Sequence, residues 1–138
     1  MAKYNNTKIL FDGKKFDSKL EMDYFLYLKH MQENGIVVDF KCQPKFTLIP
    51  KYEKYGKTIR AITYTPDYYV KYSDGREEYI DVKGMGTPAS ELRRKLFDYT
   101  HPHLTLRWIA KSIKYGDEYG WIDYDELKKI RKTNRRNK

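Results

Sequence analysis

Residues 60 to 84 read RAITYTPDYYVKY, then SDG, then REEYIDVKG. Two extended runs joined by Ser73-Asp74-Gly75 predict an antiparallel hairpin, and the loop decides its register. A two-residue Asp74-Gly75 turn would place Ser73 opposite Arg76. Asp67 would then face Val82, with its side chain turned away from Asp81. A three-residue loop, with Gly75 in the left-handed conformation, places Tyr72 opposite Arg76 and Asp67 opposite Asp81. The turn residues permit the second register without excluding the first. Alternate residues of a strand share a face, so Tyr79, Asp81 and Lys83 lie on one side and Ile80 and Val82 on the other.

The second register has a chemical consequence. Opposed residues on paired strands have Cβ atoms ~5 Å apart. Two carboxylates that close repel unless a proton or a cation lies between them. Hard oxygen donors suit Mg²⁺ or Mn²⁺. Asp81 and Lys83 on their own also read as an ordinary exposed ion pair, which contributes only ~0–1 kcal/mol.

KFDSKLEMDYFLYLKHMQENG predicts a first helix. Ser18 is its N-cap, Glu21 completes a capping box, and Gly35 stops it. Leu20, Tyr24, Phe25, Leu28 and Met31 recur at helical spacing. Glu21 falls on the same inward face as Tyr24, Phe25 and Leu28, where an acid needs a partner. IVVDFKCQPKFTLI reads as extended and interrupted at Pro44, and KYEKYGK as a polar loop. GTPASELRRKLFDYTHP predicts a second helix with Thr87 as N-cap and Pro88 at its first position. LTLRWIA is a strand, and DYDELKKIRK a short final helix. The order α, β, β, β, α, β, α predicts an α/β domain whose central mixed sheet carries an antiparallel hairpin and is flanked by helices.

The 138 residues suit one domain, expected over residues 1–127, followed by a basic C-terminal tail over 128–138. The chain carries +9, and its last eleven residues hold seven Lys or Arg and no acid, so the rest carries only +2. A basic tail suits phosphate backbones, and its plain alternative is a disordered solubilising end. Cys42 is the single cysteine, which excludes an internal disulfide and a cysteine metal cluster and favours the reducing cytoplasm. No apolar run is long enough to span a bilayer, so no membrane partner is expected. The opening MAKYNNTKIL lacks the apolar core of a signal peptide.

Pro66-Asp67, a short turn and then Asp81-Val82-Lys83-Gly84 resemble the PD-(D/E)XK motif of the restriction-endonuclease-like nucleases. FDGKKFDSKLEMDYFLYL and VKGMGTPASELRRKLF are similar to a small single-domain group of phages and prophages described only as nuclease-like or of unknown function. The resemblance covers roughly residues 4 to 110. It implies a restriction-endonuclease-like core and a Mg²⁺-dependent (or Mn²⁺-dependent) DNA endonuclease. Asp67, Asp81 and the Val82 carbonyl would be metal ligands, with Glu21 as a third carboxylate. Lys83 would help activate water and stabilise the charge developing at phosphorus. Gln43 resembles a polar position that reaches such sites.

Arg93, Arg94 and Lys95 on the second helix are candidates to grip phosphates, with Lys95 the one expected to point at the site. Arg131, Lys132, Arg135 and Arg136 in the tail are candidates as well. His101 and His103 read as a surface loop, and most of the fourteen tyrosines as packing for the sheet. Analogy with small phage resolvases suggests branched DNA such as Holliday junctions, in recombination or repair in the host cytoplasm. Symmetric cutting of two strands would require a homodimer. The rival reading is a non-catalytic nucleic-acid-binding protein that keeps the fold, against which stand carboxylates that repel phosphate. Nothing in the sequence discriminates DNA from RNA.

Overall fold

A computed structural model describes residues 9–11 and 14–137. Residues 1–8, on which the signal-peptide expectation bears, and Lys138 at the end of the tail lie outside the described residues. A short hairpin of β1 (Ile9–Phe11) and β2 (Lys14–Phe16) leads into α1 (Lys19–Glu33). Then come β3 (Val37–Cys42), β4 (Phe46–Ile49), β5 (Tyr52–Lys54), β6 (Lys57–Ile59), β7 (Ile62–Tyr64), β8 (Tyr68–Tyr72) and β9 (Glu77–Val82). The chain closes with α2 (Pro88–Thr100), β10 (Leu106–Lys111), β11 (Trp121–Asp123) and α3 (Tyr124–Arg136).

The central sheet has the order β11-β10-β9-β8-β3. Only β9 and β10 run parallel, and α2 is the crossover that joins them. The fold is thus α/β with a mixed sheet. One face packs on α1 through Phe16, Tyr24, Phe25, Leu28, Met31, Tyr68, Val70, Ile80 and Trp121. The other core joins Phe97 of α2 to Leu48 and Tyr64, with Tyr79 packed against them. Alternation in β9 serves both layers: Ile80 enters the first and Tyr79 the second.

Four expectations change. RAITYTPDYYVKY is two strands, because β7 pairs with β4 whereas β8 pairs with β3 and β9. The break falls at buried Pro66, which has no N–H for a ladder. KYEKYGK is the β5–β6 hairpin rather than a loop. The capping box at α1 is half made: Ser18 Oγ accepts from the Glu21 N–H at 3.1 Å, while the Glu21 carboxyl turns inward. Finally, α3 continues to Arg136, so the 127/128 boundary falls inside a helix. Asp125 and Glu126 in its first turn and Arg135 and Arg136 in its last complement the helix dipole. The Asn134 side chain also donates to the Tyr115 hydroxyl at 2.6 Å.

Candidate active site

The hairpin takes the three-residue loop. The Tyr72 N–H donates to the Arg76 carbonyl at 2.9 Å, and Gly75 has φ +92°. The ladder pairs Tyr68 with Ile80, Tyr69 with Tyr79 and Lys71 with Glu77. One step beyond it, Asp67 meets Asp81.

Several strand ends converge here. β8 begins where β3 and β9 end. The Gln43 N–H, one residue past β3, donates to the Asp67 carbonyl at 2.8 Å, with Gln43 at φ +55°. The Val82 N–H donates to Asp67 Oδ2 at 2.8 Å, so Val82 enters the cluster through its main chain. The first turn of α1 reaches the same end of the sheet, held by the Tyr68 hydroxyl donating to the Glu21 carbonyl at 2.7 Å. The Glu21 side chain is buried and bonds with Asp67, Gln43 and the Asp17 main chain. Lys83 Nζ stands 3.3 Å from Asp81 Oδ2. Glu21, Asp67, Asp81, Val82 and Lys83 are therefore one cluster, joined by Gln43.

Its electrostatics are unbalanced: three carboxyls face one lysine. Burial, then the Asp81 charge, then a hydrogen bond to Asp81 and the Glu21 charge push the Asp67 carboxyl up to about 10. Burial also raises Glu21, against the hydrogen bond from Asp67. Asp67 thus keeps a proton at neutral pH and donates it toward its neighbours. Glu78, a second buried acid, makes a useful contrast. It accepts from the Tyr72 hydroxyl at 2.5 Å and from Arg107 Nη1 at 3.0 Å, and Arg107 also pairs with Asp123. That acid has the full cation a structural role requires, and the Asp67 cluster does not.

Among the described residues, no group of three or more His, Cys, Asp or Glu side chains stands ready to enclose a metal ion. Asp67 instead hydrogen-bonds to each of the other two acids. Their donor chemistry, hard oxygen with a shortage of positive charge, fits Mg²⁺ or Mn²⁺.

Two residues that the sequence did not single out hold Asp81. The Tyr64 hydroxyl donates to Asp81 Oδ2 at 2.5 Å, and the Trp108 indole N–H donates to the Tyr64 oxygen at 3.0 Å. Burial and the adjacent Asp81 charge raise the Tyr64 hydroxyl far above its usual range, so it remains a donor. Lys83 Nζ and the Arg94 guanidinium lie over the Trp108 ring at 4.9 and 4.4 Å. A cation–π contact of this kind positions the charge without neutralising it. Trp108 reads in sequence as strand core, and only its register partner, Asp81, marks it out.

The basic candidates divide. Arg94, rather than Lys95, is the α2 residue turned toward the site. It is bound by Asp125 and lies 3.5 Å from Glu91. Arg93 and Lys95 are exposed. On α3, Tyr124, Lys128, Arg131 and Arg135 fall on one stripe and line a cleft with Gly84, Met85 and Gly86, the loop that follows Lys83. The Gly86 N–H donates to the Tyr124 hydroxyl at 2.9 Å, which fixes the loop against α3. Lys132 and Arg136 are exposed and lie off this cleft. His101 stacks on Phe97, and His103 is exposed, both away from the carboxyls.

Residues 1–117 match the family described as "Protein of unknown function (DUF1064)". The chain belongs to this family. No curated protein and no solved structure matches it. The DUF1064 match contains every member of the carboxylate cluster, together with Tyr64, Trp108 and the β5–β6 hairpin. It ends before β11 and α3.

Proposed function

We propose that the chain is a divalent-cation-dependent DNA endonuclease of the PD-(D/E)XK type, with a restriction-endonuclease-like core. The observation that carries this reading is the meeting of Glu21, Asp67, Asp81 and Lys83 at one end of the central sheet, with Asp67 pushed up to about 10 by burial and by the neighbouring Asp81 and Glu21 charges. Asp67, Asp81, Glu21 and the Val82 carbonyl would hold Mg²⁺ or Mn²⁺. When bound, such an ion lowers the pKa of a water toward neutrality and offsets the charge of the phosphate.

The chain's own residues do the rest. Asp67 gives up its proton as the site fills. Tyr64, braced by Trp108, fixes the orientation of Asp81. Gln43 and the Asp17 main chain hold the Glu21 carboxyl. Lys83, tethered by Asp81 and the Trp108 ring, donates to a phosphate oxygen as negative charge grows there. The α3 stripe of Lys128, Arg131 and Arg135 continues from the Lys83 loop and offers phosphate contacts along a strand leading to the cluster.

The test is a cleavage panel with Mg²⁺ and Mn²⁺, each against EDTA. Substrates are linear duplex, supercoiled plasmid, flaps, four-way junctions and the matching RNA. Metal-dependent cutting of a DNA substrate supports the reading. DNA binding without cutting under any of these conditions would transfer support to the non-catalytic nucleic-acid-binding alternative. Paired nicks on a junction by a species sedimenting as a dimer would add the homodimer.

A further inference from the structure

The β5–β6 hairpin pairs Tyr52 with Ile59, Glu53 with Thr58 and Lys54 with Lys57. Tyr55 and Gly56 close it at φ +52° and +73°. Two left-handed residues make the turn that suits a two-residue hairpin, and asparagine and glycine are its usual occupants. A tyrosine there is strained, and Tyr55 is 90% exposed. Every residue from Lys51 to Ala61 is exposed.

We propose that this hairpin is a DNA arm that stacks Tyr55 on an unpaired base at a branch point and grips the flanking phosphates with Lys54 and Lys57. The proposal rests on the DNA reading of the carboxylate site and names the form of DNA that reaches it. Four observations carry it. Tyr55, strained and exposed at the hairpin tip with Lys54 Nζ 5.3 Å over its ring, leaves most of that ring open to stack on an unpaired base. Lys54 and Lys57 stand directly opposite each other, a like-charge pairing that disfavours the ladder unless an anion joins it. The acid of the segment does not relieve them: Glu53 projects from the other face, where it accepts from Thr58 Oγ1 at 2.7 Å. Lys51 and Arg60 at the base extend the positive charge.

The arm is also joined to the site. β6 runs on into β7, and β7 ends at Tyr64, the residue bonded to Asp81. The nine residues from Tyr55 to Tyr64 span at most about 30 Å. With a further ~6 Å of side chain at each end, and at 3.4 Å per base step, the branch then lies within roughly a dozen base pairs of the cut. Intact duplex offers no unpaired base, and pulling one out of the stack is costly. Flaps offer one freely, and the pairs that border a junction's branch open at less cost than pairs inside a duplex, so the arm selects branched DNA on that ground.

The experiment uses the full chain and a four-way junction carrying 2-aminopurine at its branch, beside a linear duplex of the same composition. Affinity is measured in EDTA and cleavage in Mg²⁺ and Mn²⁺. Tyr55→Asn suits the turn, so its melting temperature is expected to hold. It is expected to lose at least about fivefold in junction affinity, and with it the preference over duplex. Tyr55→Trp should retain both, together with the change in 2-aminopurine fluorescence. Lys54→Ala/Lys57→Ala should lower the logarithmic salt slope by about 1.8. Equal junction and duplex binding by the wild type, or a Tyr55→Asn protein that binds like it, overturns the arm. Binding is read without cleavage, so the two readings fail separately. Tyr55-dependent junction binding with no cleavage sinks the nuclease reading alone, and cleavage indifferent to Tyr55 sinks the arm alone.

Discussion

Asp81→Asn keeps the size of a buried side chain and the hydrogen bond from Tyr64 while removing its charge. A neutral amide is a poor ligand for Mg²⁺. Cleavage is therefore expected to fall by orders of magnitude, while DNA affinity in EDTA holds or rises because a charge that repels phosphate has gone. Lys83→Ala is expected to keep metal binding and to lose turnover through weaker transition-state stabilisation. Neither change opens a core cavity, so both should melt close to the wild type. Wild-type cutting by Asp81→Asn would remove the nuclease assignment from these residues. Asp67 titrates in the opposite sense from an ordinary surface acid. Its folded value, about 10, lies above its unfolded value near 4. The metal-free protein should therefore be most stable at low pH on this account, and should lose stability as pH rises from about 4 toward 10, by at most ~1.4 kcal/mol per pH unit. Asp67→Asn abolishes that titration. Melting in EDTA should show the variant more stable than wild type at pH 8, with the gap closing toward pH 4. A gap that does not change with pH would contradict the proton on Asp67.

Under the proposed function, α3 takes the phosphate-binding role that the sequence reading gave to a basic tail. Lys128, Arg131 and Arg135 share the stripe that flanks Gly84 and Gly86. Changing all three to Ala should reduce the salt slope of DNA binding by about 2.7, or ~0.9 for each phosphate left without its cation. The exposed pair Lys132 and Arg136, changed together, should reduce it less. Truncation after Arg131 is a poorer test, because it also removes the last turn of a helix anchored by Asn134 and Tyr115. Equal slopes for the two sets would mean that the cleft is no path for a strand. Helix boundaries were legible where caps are local: Thr87 and Ser90 cap α2 reciprocally, and Gly35 follows the end of α1 at φ +76°. The length of α3 was not legible, because a run of charges resembles a solvated tail until its termini are seen to complement a dipole.

At the scale of the whole molecule, the DUF1064 match and the fold end at different places. Trp121 and Leu127 lie beyond residue 117, and both are buried. The Trp121 ring meets Tyr24 edge-on at 4.8 Å, which closes the core over α1. A chain cut after residue 117 should therefore lack a cooperative melting transition and aggregate. Cooperative melting of that fragment would show that β11 and α3 are an accessory. Mg²⁺ should raise the melting temperature of the full chain more at pH 8 than at pH 6, because binding competes with the proton on Asp67. That difference should vanish in Asp67→Asn, and calorimetry against metal concentration would show it.

What the sequence determined was local. Loop chemistry narrowed the hairpin to two registers, caps marked the helix starts, and a period of two placed Asp81 and Lys83 on one face of β9. Glu21 was recognisable as an acid on an inward face, though not what it would touch. The tertiary structure decided the rest. It chose the register that opposes Asp67 and Asp81, brought the first turn of α1 to the same sheet end, and set Tyr64 behind Asp81 across a separation of 17 residues and Trp108 behind Tyr64 across one of 44. It also turned a polar loop into a projecting hairpin and a tail into a helix beside the site. The physical reason is the range of the forces involved. Caps, turns and strand alternation act over a few neighbouring residues, whereas a hydrogen bond between distant strands exists only once the sheet and both cores have brought them together.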